Sequence, residues 1–355
     1  ANWESSDKNL TAGAERPILP FLLQNRLFFD WLPFEDPADW LNEQYFPIDV
    51  SAAEYMRGRG VAEAAIRLAD VDLNGPSLAA ISAMSIFRDM ARIKVEGFRD
   101  PTRPQYGNNS QSISHFIEGG SDMLPRAMAA SLRGQVRLNA PVVQIDQTDT
   151  EVEARLFDGT RIRSRFMVMA APFSAVRHIR FNPGLPQVQA DAVQGAAYSA
   201  TTQFHFRVLR KFWEEDGLPP SLWSDRLYER GFHIANRGGE HGSYTVWLNG
   251  DGATRIHAMP REAQLALILA EMERARPSIR GALQPLFAYS WEANPFVGGN
   301  KHVFCAGQVK HFAKDMGTPH GRIHFAGEHL RRMEPGMESA METGEIAALE
   351  VLERA

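Results

Sequence analysis

A single cysteine, Cys305, stands among 355 residues. One thiol closes no internal disulfide and builds no cysteine-based zinc or iron–sulfur site, and it suits a cytoplasmic or a periplasmic home equally. Concentrated positive charge is also scarce. Lys and Arg total 38 against 43 Asp and Glu, a formal charge of −5, and no basic run exceeds pairs such as Arg210-Lys211 and Arg331-Arg332. That balance argues against a nucleic-acid partner. The longest apolar run, Phe166 to Phe173, falls far short of the ~20 residues of a membrane helix, so no span is expected. The first residues form neither a basic nor an apolar leader region and lack an initiator Met, so the start reads as a processed or cut end. With 44% hydrophobic and 23% charged residues the composition is globular, and a chain this long predicts about two packed domains.

What the chain does have changes along its length. Ile18 to Phe34 is rich in Leu and Phe but broken by prolines, a pattern for irregular helical pieces that wall a pocket. Ser51 and Glu54 have the spacing of a capping box, so a helix should start there and end at Gly58 and Gly60. Apolar steps of three and four residues over Val61–Leu68 and Ser77–Ile93 make the first ~110 residues mostly helical. From Gly119 the pattern turns to a helix at Asp122–Leu132 and strands at Gln135–Leu138, Val142–Ile145, Val152–Phe157 and Ile162–Ala170. Pro172 is placed to open a helix after the last of these. A second sheet is predicted from Thr202–Leu209, Tyr228–Ile234, Ser243–Leu248 and Phe287–Trp291, with a helix at Arg261–Ala275. No repeat interrupts this order.

The densest chemical signal lies between Gly321 and Ala348. A strand at Arg322–Ala326 delivers Gly327 and Glu328 at its carboxyl end, and Gly336 opens a helix over Met337–Leu352 whose first N–H groups can face an anionic group. Small residues Ala340, Gly344, Ala347 and Ala348 let that helix approach a sheet, and Glu328 can accept from a ribitol or ribose hydroxyl. On spacing alone a plain strand–turn–helix fits as well. Around it, His320, His324 and His329 flank one strand and read as structural rather than as metal ligands, so no metal is expected. Cys305 beside Phe304 reads as a small hydrophobe. Arg331-Arg332 reads either as a solvated pair or as a bidentate grip on a substrate carboxylate.

This segment resembles the C-terminal flavin-binding signature of the flavin-containing amine oxidase family, which includes monoamine, L-amino acid and polyamine oxidases. Three further blocks agree in order: Phe116 to Asp122 leading to Val136 to Asp146; Val168 to Pro172; and Trp291 with Gly298-Gly299 and Gly307-Gln308. The resemblance implies an α/β fold of mixed α+β type, with a Rossmann-like FAD-binding domain interleaved with a substrate domain of mixed sheet and helices. Its division would be a helical part of the substrate domain over 1–110, FAD-binding segments over 111–194 and 300–355, and the substrate sheet and helix over 195–299. It implies that the Val142 backbone holds the adenine end of FAD, Glu328 the ribityl or pyrophosphate region and the Met337 N–H the pyrimidine edge, with Ala171, Pro172, Trp291, Gly327 and Gly336 lining the cofactor.

The departures from the family are as informative. The opening glycine-rich dinucleotide turn is missing, since Gly58 to Glu63 reads as a helix–helix turn, so a companion segment or chain is expected to supply that half. Asn300 stands where covalent members carry the tethering cysteine, which implies noncovalent FAD. Lys301 and Gly336 stand where many amine oxidases carry two aromatic rings, and Gln203 where many carry a lysine near the flavin; an offset of two would put His205 there. Gln203 can orient water but brings no positive charge, which favours a dehydrogenase using an acceptor other than oxygen. The expected reaction is hydride removal from the carbon beside a neutral amine or amino-acid nitrogen, with Gln203, Trp291 and Lys301 as the catalytic-region residues. A carbon–carbon oxidising relative of the desaturase or protoporphyrinogen-oxidase type, and a flavin-free subunit or fragment, stay open beside it, as does a homo-oligomer.

Overall fold

Apolar spacing at the start of the chain condenses into helices, and the computed structural model describes residues 3–7, 9–71, 75–99, 117–235, 241–333 and 335–355. Helices α1 (Leu23–Asp30), α2 (Ala52–Gly58), α3 (Glu63–Asp70) and α4 (Ala83–Arg99) come first. Ser51 Oγ accepts from Glu54 N at 3.2 Å, the expected cap, and Gly60, at φ +80°, turns the chain from α2 into α3. α4 begins six residues later than its periodicity predicted, because Leu78 is pinned by Asp70: Leu78 N donates to its carboxylate and Leu78 O accepts from Ala53 N.

The next elements are α5 (Met123–Ser131), β1 (Val142–Gln147), β2 (Val152–Leu156), β3 (Arg161–Ser164), β4 (Met167–Met169), α6 (Phe173–Val176), β5 (Arg180–Asn182), α7 (Gln187–Gly195) and β6 (Ala197–Tyr198). The predicted strand at Gln135–Leu138 does not form: Val136 and Leu138 are exposed, and alternation without a partner strand makes no ladder. The predicted strand at Ile162–Ala170 is two strands, since β3 pairs antiparallel with β2 whereas β4 pairs with a strand of the last segment. Phe116 lies outside the described residues.

β7 (Thr201–Val208), α8 (Phe212–Asp216), β8 (Leu222–Trp223), β9 (Arg230–Ile234), β10 (Ser243–Asn249), α9 (Gly250–Ile256), α10 (Arg261–Ala275) and β11 (Leu283–Ser290) follow. The final set is β12 (His302–Val303), β13 (Ile323–Phe325) and α11 (Met337–Arg354). Among the described residues β11-β7-β10-β9-β8 form one sheet and β3-β2-β1-β5 another, with β12-β6 and β13-β4 as separate pairs.

Two cores result. In the five-stranded sheet Phe204 and Phe206 of β7 point with Val246 toward Ile268 and Met272 of α10, and each fully buried Phe contributes roughly 2–3 kcal/mol. The strand period of two then turns Gln203 and His205 to the other face. The second core joins α1–α4 (Leu23, Phe28, Met84, Phe87) to Met169, Phe173, Phe304 and Phe325, so the opening helices share their interior with the segments around β4 and β13.

Candidate functional site

Parallel pairing of β13 with β4, Ile323 opposite Met167 and Phe325 opposite Met169, puts the carboxyl ends of both strands side by side. Crevices outside such ends are where open α/β sheets take ligands. Ala326 N donates to Met169 O at 3.0 Å, which sets Gly327 and Glu328 beside Ala171 and Pro172. Gly327 has φ +131°, and a Cβ there would lie 2.6 Å from His329 Cε1, so the turn admits only glycine. Its N–H donates to Thr343 Oγ1 at 2.9 Å, which fastens the turn to α11.

α11 is 18 residues long and begins at Gly336, φ +72°, with no side-chain cap and open space where a Cβ would stand. Met337 is 51% exposed, and Ser339 Oγ is buried in the first turn with no hydrogen-bond partner among the described residues. Uncapped N–H groups at the positive end of a long helix, next to a glycine-only turn, fit a polar or anionic cofactor edge. Pro172 caps α6, as its position predicted, and Val142 sits at the first pair of β1, opposite Leu156.

Gln203 lies on the face of β7 away from α10, in register with Trp247 of β10 and Tyr289 of β11. The Tyr289 and Trp291 rings meet edge to face at 4.8 Å, and His205 stacks on Phe287 at 4.4 Å, with burial lowering the imidazole pKa. Glu292 accepts from Thr201 N at 3.0 Å, while Ser199 exchanges backbone bonds with Asn300 and Lys301. The backbones carrying Trp291 and Lys301 therefore both close on the segment leading to Gln203. Gly298 and Gly299 allow this approach: a Cβ would lie 2.7 Å from Ser174 Cβ and 2.6 Å from Tyr198 Cβ.

The Lys301 side chain, however, leads elsewhere. Nζ lies 3.4 Å from Asp89 Oδ2, and Asp89 Oδ1 accepts from Arg331 Nη2 at 2.5 Å. Burial pushes the Asp89 carboxyl up, but Lys301, Arg331 and Arg88 together hold it well below the usual carboxylate range. Arg88 lies over Trp40 at 4.5 Å and Phe304 at 5.3 Å. His302 and His329 beside this cluster are kept neutral, His329 lowered to about 4 by burial. Arg331 is thus buried and paired, whereas Arg332 is exposed, which corrects the picture of a solvated pair. Neither Arg88 nor Asp89 was visible as a site residue, because both sit within an apolar helical pattern; the one signal was adjacent opposite charges flanked by Phe87 and Met90.

A cavity of about 190 Å³ opens on Arg88, Asp89, Lys301 and Arg331, and one of about 410 Å³ on Trp40, Phe304, His329, Arg331 and Thr343. The three histidines near β13 go to separate neighbours: His324 bonds Glu350 at 2.8 Å, His329 packs 4.3 Å from Phe173, and His320 bridges Ile323. Burial raises the Cys305 thiol pKa.

Comparison with known proteins gives a consistent picture. Residues 75–352 match the family model described as flavin containing amine oxidoreductase. An L-amino-acid oxidase of Bothrops moojeni is 25% identical over 245 residues, covering 66% of this chain and 49% of that protein. One of Crotalus adamanteus is 25% identical over 247 residues, covering 66% and 48%. The chain thus spans about half the length of these relatives. Among solved structures, wild-type putrescine oxidase bound to putrescine superposes with a TM-score of 0.73 at 19% identity, over 93% of this chain and 75% of that one. Cyclohexylamine oxidase from Brevibacterium oxydans IH-35A gives 0.72 at 20% identity, over 96% and 77%.

Proposed function

The chain belongs to the family of flavin-containing amine oxidoreductases, and on that premise we propose that it oxidises a small-molecule amine or amino acid with noncovalent FAD. The observation that carries this reading is the cradle formed by Gly327, Gly336 and the uncapped start of α11. Bound FAD would supply the acceptor for the hydride that leaves the carbon beside the nitrogen. The residues do the positioning. Glu328 and the Met337 N–H receive the polar edges of the cofactor, Val142, Ala171 and Pro172 line its adenosine and ring sides, and Asn300 offers no thiol to tether it. Trp291 and Tyr289 wall the substrate, Gln203 orients a water, and Lys301 anchors the loop through Asp89. Residues 111–194 and 300–355 form the FAD-binding part in this reading, and 1–110 with 195–299 the substrate part.

The dinucleotide half comes from a companion segment. Support for this lies in apolar residues that the described residues leave uncovered: Met123 and Met128 of α5, then Leu132, Val136 and Leu138, are all exposed.

The test is a visible spectrum of the protein mixed with FAD, alone and co-produced with a glycine-rich dinucleotide segment of a family member, followed by amine and amino-acid turnover with oxygen or a dye as acceptor. Flavin absorbance that follows the protein, is released on denaturation and is bleached by an amine or amino acid is the expected result. A protein that stays colourless with the segment present, or flavin bleached only by a substrate lacking nitrogen, overturns the reading.

A further inference from the structure

Around Asp89 the charges do not balance. Among the described residues three cations, Arg88, Lys301 and Arg331, meet two carboxylates, Asp89 and Glu328, an excess of one positive charge. Arg88 is 2% exposed and Arg331 4%. Nε and Nη1 of each meet no hydrogen-bond acceptor among the described residues. Glu328 is near enough to attract Arg88. Burying a guanidinium with N–H groups unmet is costly, and a fold retains such an arrangement where something else completes it.

The way Arg88 is held points the same way. Trp40 and Phe304 hold its guanidinium carbon over their rings, so its position does not rely on a carboxylate partner alone and its N–H groups remain available. Burial lowers its pKa to about 9, which still leaves it charged at neutral pH. The neutral histidines 302 and 329 supply no counter-charge. The cavity of about 190 Å³ on which all three cations open is large enough for one small oxyanion.

We propose that Arg88, Arg331 and Lys301 form an oxyanion-binding site that takes a single carboxylate or phosphate group, with Asp89 as its internal competitor. Two sources have this chemistry, a carboxylate on the substrate and a phosphate of a nucleotide cofactor. Guanidinium and ammonium groups bind either.

The experiment titrates the whole chain with sodium phosphate and sodium acetate at ionic strength held constant with chloride, reading melting temperature and calorimetric affinity. Phosphate or acetate should raise the melting temperature of the wild type. Arg88→Met and Lys301→Met should each weaken binding by on the order of tenfold, and Asp89→Asn should strengthen it by about as much, because the competing carboxylate is gone. Strengthening by Asp89→Asn is an outcome that a purely structural role would not give. No response beyond chloride, or an affinity unchanged in both Lys301→Met and Asp89→Asn, overturns the site; those two variants decide if Arg88→Met fails to fold. Displacement of phosphate by FAD assigns the oxyanion to the cofactor, displacement by an amino acid assigns it to the substrate, and displacement by neither leaves a site for a free anion. The titration involves no turnover, so it succeeds or fails independently of the oxidase reading.

Discussion

Arg276 and Arg88 are both nearly wholly buried, at 6% and 2% exposure, and both lie over aromatic rings, Phe212 at 4.7 Å and Trp40 at 4.5 Å. Their surroundings differ. Arg276, next to the five-stranded sheet, makes two 2.7 Å bonds to Asp216 and donates to Pro219 O and Leu218 O, while Ser278 Oγ satisfies Asp216 further. Arg88, in the helical core, is held by rings and keeps two nitrogens unmet among the described residues. The first arginine closes a structure, whereas the second is complete only with something added. Buried charge therefore marks a ligand site by its unmet donors rather than by burial itself.

The largest effect expected from this contrast is at Arg276. Arg276→Met strips Asp216 of its bidentate partner and frees two backbone carbonyls, and should cost about 3–5 kcal/mol in denaturant unfolding. A loss below about 1 kcal/mol would remove the distinction between the two arginines.

Acid should find the other region first. His329 packs on Phe173, and burial lowers its pKa from 6.5 to about 4, so between those values the unfolded chain binds more protons than the folded one. Its contribution is present above pH 6.5 and is lost as the pH falls toward 4, about 3 kcal/mol in all. His302, lowered by burial and then by His329, Arg88, Arg331 and Lys301, adds in the same direction. Melting temperatures of wild type and His329→Phe across pH 4–7 check this: the variant should lose less stability on acidification, and parallel curves would refute it.

A smaller effect lies at Ser278. Ser278→Ala removes one hydrogen bond to Asp216 but leaves Arg276 in place, so about 1 kcal/mol should be lost, simply additive with a change at Arg88. A double-mutant cycle with Arg276→Met should show coupling, and one with Arg88→Met none.

The same contrast explains how far the sequence could be read. α10 has the bounds its apolar steps predicted, and Gly159, at φ +87°, turns the chain between β2 and β3. β13, Gly327 and α11 follow the strand–turn–helix pattern because each is specified within a few residues. Local rules also misled, as at Gln135–Leu138, where alternation had no neighbouring strand to pair with. The cluster at Asp89 lay out of reach for the opposite reason. Its partners Lys301 and Arg331 are 212 and 242 residues away, and contacts across such separations leave no periodicity. Lys301 stood out only as a departure from a family pattern, and what it pairs with came from the fold.

The smallest expected effect is the most discriminating. Arg88→Met replaces a buried, partly unmet cation with an apolar chain of similar length. The cation–π contact with Trp40 that it loses is worth about 1–2 kcal/mol, and the desolvation it relieves is of similar size and opposite sign. Asp89 keeps Lys301 and Arg331, so no carboxylate is stranded. Unfolding in chloride should therefore change by less than about 1 kcal/mol, against the 3–5 at Arg276. Repeated in phosphate, the two proteins should separate, because only the wild type gains from the anion. Should Arg88→Met prove as damaging as Arg276→Met in chloride alone, Arg88 would be a structural staple like its counterpart, and its unmet nitrogens would need another explanation than a ligand.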